Sequence, residues 1–226
     1  MLERVNQAGR ELRPASLLEA LRERTRELHA TAERTGIVAE ILHRRADLFG
    51  YALLLRNLLP IYRTMEQALA ARRESVVVGP MVRPELDRAG AIESDLHVIS
   101  DLYRINHLAE LPESMRYVDA IRQASEGTGV RLIAHAYARY LGDLSGGQIL
   151  RKLIQRSLGL PPEALTFYDF RGIPDIAAFK AEYRSAIEQA GDEIGDFDPV
   201  VAEGARAFEL NIELSVALQK AALREG

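Results

Sequence analysis

Two groups of residues in this chain have types and spacings suited to chemistry. The first is His29, with Glu33 four positions later and Arg22 seven positions earlier. At about 100° per residue on a helix, this histidine falls just beside an apolar stripe of Leu18, Leu21, Leu28 and Ala32. It would face the interior, with a carboxylate near its second ring nitrogen and a cation two turns away. A metal-ligating histidine wants such an acceptor, which fixes the tautomer and raises ligand basicity. The same spacing also describes an ordinary i,i+4 pair on a helix shoulder. The second group is the run 140–148, YLGDLSGGQ, inside a long helical stretch. Each of its glycines costs roughly 1 kcal/mol relative to alanine in a helix interior. Gly142 and Gly146 share a face, with Gly147 beside them. A backbone kept bare there is expected to have something flat or bulky pressed against it.

The remaining histidines, His43, His97, His107 and His135, read as surface or internally satisfied residues. Glu40-x-x-His43 is half of a di-metal carboxylate site. That site needs a second Glu-x-x-His and two more glutamates, and the sequence has no second copy. Lys180 and Arg184, four apart beside Tyr183, could clamp an acidic ligand group or form a solvated basic face.

These groups need a helical framework, and the sequence supplies one. Pro14 and the box Ser16-x-x-Glu19 open a first helix, with Gly36 as its stop. A leucine-rich helix follows over 46–73, which Pro60 should bend or split. A connection with a turn at Gly79-Pro80 leads to helical periodicity over 84–108, then 112–127. The longest run, 130–158, carries the glycines. Residues 167–174 read as irregular, and 176–190 and 199–223 as two final helices. No alternating segment argues for a sheet. The expectation is one all-α domain over 16–226, with residues 1–15 as a flexible extension.

The chain has 226 residues, 47% hydrophobic and 27% charged, with no cysteine, which excludes disulfides and thiolate chemistry. A net charge of −4 gives no ground for nucleic-acid binding. No signal-peptide pattern and no apolar run of membrane-spanning length is present, so a cytoplasmic protein without a membrane anchor is expected.

RERTRELHATAE around His29 and HAYARYLGDLSGGQ around the glycines together strongly resemble the haem oxygenases. RPELDRAGAIESDL, SMRYV, FKAEYRS and AFELNIEL extend the resemblance in the same order, from about Ser16 to Leu218. It implies a helical bundle that sandwiches haem between two helices. His29 matches the iron ligand and Glu33 the carboxylate on its ring. Gly142, Gly146 and Gly147 match the helix over the opposite face, letting backbone approach the porphyrin and bound oxygen. Asp143 matches an aspartate that holds a water network beside the oxygen, and Arg139 would anchor it. An i,i+4 salt bridge between Asp143 and Arg139 is compatible with that role. Arg22, Lys180 and Arg184, with the hydroxyl of Tyr137, match residues that hold the haem propionates. Arg22 stands where relatives often carry lysine. Tyr62, Phe208 and Asn211 match the outer wall and its polar network.

The resemblance implies oxidative opening of haem to biliverdin, with O2 as co-substrate and release of CO and ferrous iron. Electrons would come from a ferredoxin or reductase, docked on basic surface near the haem mouth. A haem-sequestering or sensing protein of the same fold is the alternative. A purely structural bundle leaves the glycines and His29 unexplained.

Overall fold

The computed structural model describes residues 16–105 and 107–225. The extension expected over 1–15 lies outside the described residues. The fold is all-α, and no strand occurs among the described residues. The helices are α1 (Leu17–Arg34), α2 (Gly36–Leu42), α3 (Leu48–Ala70), α4 (Ala89–Tyr103) and α5 (Pro112–Ala124). After them come α6 (Leu132–Gly142), a π-helical turn (Asp143–Gly147), α7 (Gln148–Leu158), α8 (Ile176–Ile194) and α9 (Asp198–Glu225).

Helix α1 starts where the sequence signals it. The Ser16 hydroxyl accepts from the Glu19 amide at 3.3 Å, and Leu17, Ala20, Leu21 and Ala32 are buried. Gly36 ends α1 and at once begins α2, a short helix the sequence did not signal. Its φ of +65° makes the corner, and a Cβ there would lie 2.3 Å from the Ser215 carbonyl carbon. The corner therefore presses on α9, and the Ser215 hydroxyl bonds to Thr35 O and accepts from Val38 N.

Pro60 does not split α3, which runs unbroken from Leu48 to Ala70. Leu58, Leu59, Ile61 and Tyr62 around it are all buried. Packing of α3 against α4, α5 and α9 outweighs the one hydrogen bond that proline removes. Helix α4 starts later than its periodicity suggests. A 3₁₀ turn, Pro84–Leu86, precedes it, and the Glu66 carboxylate of α3 accepts from the amides of Arg88 and Ala89 at 2.5 and 3.0 Å. That tertiary cap sets the start of α4. Arg104, at φ 54°, closes the helix before Leu108 is reached.

Helix α9 is the organising element. It packs against α1, α2, α3, α5 and α6. It thereby fixes α1, which carries His29, relative to α6, which leads into the glycine turn.

Candidate functional site

A cavity of about 640 Å³ opens between α1 and the α6–α7 run. On the α1 side it is lined by Leu18, Arg22, His29, Ala32 and Glu33. Facing them are residues from Tyr137 to Leu150. Leu54 and Leu58 of α3 and Phe208 and Asn211 of α9 also contribute. The volume suits a substrate-sized ligand.

His29 is 56% exposed, beside a stripe in which Leu21 and Ala32 are buried and Leu18 and Leu28 half-buried, and it lines this cavity. Its ring lies 5.8 Å from that of Phe208. Glu33 Oε1 is 3.7 Å from Nδ1, too far for a hydrogen bond but on the correct side of the ring. Nε2 is then the nitrogen left for a ligand.

The glycines divide into two kinds. A Cβ on Gly142 or Gly146 would meet nothing within 4 Å, so both positions open onto free space beside the cavity. Gly147 is different: its Cβ would lie 2.7 Å from Tyr168 Cδ1. The turn that carries them is π-helical rather than α-helical, a local widening found mostly as single turns at functional sites.

Asp143 is buried to 7% exposure at the start of that turn and lines the cavity. The Tyr62 hydroxyl donates to its Oδ2. Arg139 does not form the direct i,i+4 bridge to Asp143 that the spacing allows. Its Nε and Nη2 donate to the Tyr62 oxygen at 3.0 and 2.8 Å, and its Nη1 donates to Asn211 Oδ1 at 2.7 Å. Tyr62 is therefore the joint between the aspartate and the arginine, a more central place than the outer wall assigned to it. Burial pushes the Asp143 carboxyl above the ordinary range, opposed by Arg139 and the Tyr62 bond. Burial also drives the Tyr62 phenol well upward, so it stays a donor across the working pH range.

Of the cations, Arg22 and Arg184 line the cavity, as does Tyr137. Lys180 does not. It lies half-buried one turn before Arg184 on α8.

A second buried network, behind α6, is not announced by any spacing in the sequence. His135 is fully buried, and its Nε2 lies 3.2 Å from Glu203 Oε1 of α9. Arg131 donates to the other carboxylate oxygen at 3.2 Å, and Arg206 stands 3.8 Å away. The network ties α6 to α9 close to the Arg139–Asn211 bond. Burial holds the His135 pKa below its ordinary value, against the pull of Glu203. As pH falls below about 6.5, the unfolded chain takes up a proton at this histidine before the folded chain does. Stability is then lost on acidification, by at most about 1.4 kcal/mol per pH unit from this one group. His135→Gln should remove that component. Urea unfolding at pH 7 and pH 5 should show a smaller difference between the two pH values in the variant than in the parent.

Haem fits this arrangement. One imidazole nitrogen is free on one wall, the opposite wall is bare backbone where side chains would otherwise intrude, and two arginines stand in the lining for carboxylates.

The comparisons agree with the geometry. The family model described as "Heme oxygenase" matches residues 15–217. The Heme oxygenase 1 of Gallus gallus is 36% identical over 210 residues, covering 90% of this chain and 70% of that protein. The Heme oxygenase of Guillardia theta is 35% identical over 207 residues, covering 90% and 86%. Among solved structures, heme oxygenase-1 of the cyanobacterium Synechocystis, in complex with heme, superimposes with a TM-score of 0.82 at 33% identity. That match covers 93% of this chain and 96% of the other. A bundle with this cavity, matched along nine-tenths of its length, belongs to the heme oxygenase family.

Proposed function

We propose that this enzyme, a haem oxygenase that degrades haem to biliverdin, takes its substrate into the cavity between α1 and the π-helical turn, with His29 as the iron ligand. The observation that carries this is the pairing of walls. An imidazole with an open nitrogen lies across from Gly142 and Gly146, where no side chain or neighbouring atom occupies the space a Cβ would take.

Bound haem supplies the iron that takes up O2 and the ring carbon that is oxidised. The chain's own residues supply position and protons. His29 holds the substrate from one side, and Glu33 can turn toward Nδ1 to fix the tautomer. Arg22 and Arg184, with the Tyr137 hydroxyl, hold the carboxylates at the rim. Lys180, one turn from Arg184, adds long-range attraction rather than a wall of the cavity. Gly142 and Gly146 permit close approach of backbone. Gly147 also lines the cavity, but its bare Cα turns toward Tyr168. Phe208 packs beside the imidazole. Asp143, locked by Tyr62, Arg139 and Asn211, holds a water next to the reacting oxygen and delivers its proton without touching the metal. Electrons come from an external ferredoxin or reductase, and CO and ferrous iron leave with the product.

Incubation with haem, O2 and a reductant should bleach the Soret band and yield biliverdin and CO. A Soret band that persists, with no bilin and no CO, would support the sequestering alternative instead. Gly142→Leu should separate the fold from the site. Leucine favours the helix by up to about 1 kcal/mol, so the haem-free protein should melt no lower than the parent. Its side chain would occupy the cavity, so haem affinity should fall about tenfold or more, equivalent to about 1.4 kcal/mol. Calorimetry and Soret titration read the two effects independently.

A further inference from the structure

We infer that Tyr168 is a positioning residue. Its ring is a wedge against the π-helical turn where both line the cavity, held by a clamp on the 166–170 loop, and it sets how far the glycine turn stands into the cavity.

Three observations meet here. The first is contact. Gly147 is buried, and a Cβ on it would lie 2.7 Å from Tyr168 Cδ1 and 3.4 Å from Cε1. Gly147 is bare so that the Cδ1 edge of this ring can press against the turn, whereas Gly142 and Gly146 are bare toward open space. The Gln148 side chain also donates to Tyr168 O at 2.8 Å, joining the start of α7 to the same residue.

The second is the clamp. Residues 166–170 have no regular structure, yet Phe167, Tyr168 and Phe170 are buried. Their backbone polar groups therefore need partners from elsewhere. Asp95 of α4, fully buried, accepts from the amides of Thr166 and Phe167 at 2.7 and 2.9 Å and from the Thr166 hydroxyl at 2.5 Å. Arg88, also buried, donates to Phe167 O and Asp169 O at 3.4 and 3.2 Å and stacks over Phe170 at 4.3 Å. Arg151 of α7 reaches Asp169 at 3.3 Å. The ring of Phe167 meets that of Tyr62 edge-on at 5.4 Å, so the same loop also backs the tyrosine that holds Asp143.

The third is the turn itself. A π-helical turn is rare and occurs mostly as a single-turn bulge inside an α-helix, so its presence here asks what holds it. Gly142 and Gly146 meet no neighbour that could brace it, so the support comes from the Tyr168 ring packed on Gly147.

The coupling is testable without haem. Gly147→Ala alone should lower the melting temperature by about 5 °C, since the new methyl meets the ring. In a Tyr168→Ala background the same change should be neutral or stabilising, because the ring is gone and alanine suits a helix better. Tyr168→Phe, which keeps the ring, should leave Gly147→Ala as harmful as it is in the parent. Asp95→Asn should act through the loop, speeding hydrogen exchange of amides 144–150 by about tenfold in the haem-free protein. The catalytic consequence rests on the proposed function. In the haem-loaded enzyme, Gly147→Ala should reduce kcat at least about fivefold with KM for haem little changed. Equal melting losses from Gly147→Ala in both backgrounds, together with unchanged exchange in Asp95→Asn, would overturn the wedge whether or not haem is turned over. If the Gly147→Ala effect reverses with Tyr168→Ala but kcat does not move, the wedge stands as architecture and its role in turnover fails.

Discussion

His29→Ala should weaken haem binding by about a hundredfold, roughly 2.7 kcal/mol, while leaving the haem-free fold intact. The side chain is 56% exposed and lies beside the Phe208 ring and the Glu33 carboxylate. Removing it leaves no buried polar group unpaired, so stability should stay within about 0.5 kcal/mol of the parent. Binding should be weakened rather than abolished, because the apolar cavity and the rim arginines remain. Added imidazole, small enough for the space vacated between Glu33 and Phe208, should restore both the ligand-field spectrum and a share of the affinity. Soret titration with and without imidazole reads this. Unchanged affinity and spectrum in the variant would place the ligand elsewhere.

Asp143→Ala should have the opposite profile. Haem affinity should stay within about threefold, because the carboxylate is turned toward Tyr62 rather than toward a ligand position. Biliverdin formation should fall at least about a hundredfold, some 2.7 kcal/mol of barrier. Haem should then be consumed slowly, in a form that keeps its ring. A complication is that alanine strands one buried donor. The Tyr62 hydroxyl loses its acceptor, at about 1–3 kcal/mol of stability, while Arg139 keeps its bonds to Tyr62 and Asn211. Asp143→Asn keeps an acceptor for Tyr62 and removes only the charge, so it isolates the chemical loss. It should retain the parent's melting temperature more closely than Asp143→Ala and still turn over poorly. Bilin at the parent rate from either variant would end the proton-delivery account.

What could be read from the sequence was local. His29 beside its stripe, the Ser16–Glu19 cap and the glycine face each follow from helical spacing within a few residues, and all were legible. The bonds that finish the site connect residues far apart in the chain. Tyr62 and Asp143 are 81 positions apart, and His135 and Glu203 are 68 apart. Nothing in periodicity announces such pairs, although a tyrosine on an otherwise apolar face of α3 was a hint that its hydroxyl needed a partner. Long-range contacts also explain the misplaced elements. Packing carried α3 through Pro60, the Glu66 carboxylate delayed α4, and the contact of Gly36 with Ser215 made α2 out of what read as a stop. Lys180 and Arg184 share a helix face by spacing, but only Arg184 lines the cavity. The pattern YLGDLSGGQ showed that the backbone was bare, but not that Gly147 is bare toward a different neighbour from Gly142 and Gly146.

A crystal structure of the ferric haem complex would test the site most directly. It should show His29 Nε2 bonded to the iron, the backbone of Gly142 and Gly146 against the opposite face, and a water between Asp143 and the sixth position. Iron bound by any other side chain, or a macrocycle lying outside the gap between α1 and the glycine turn, would contradict the account.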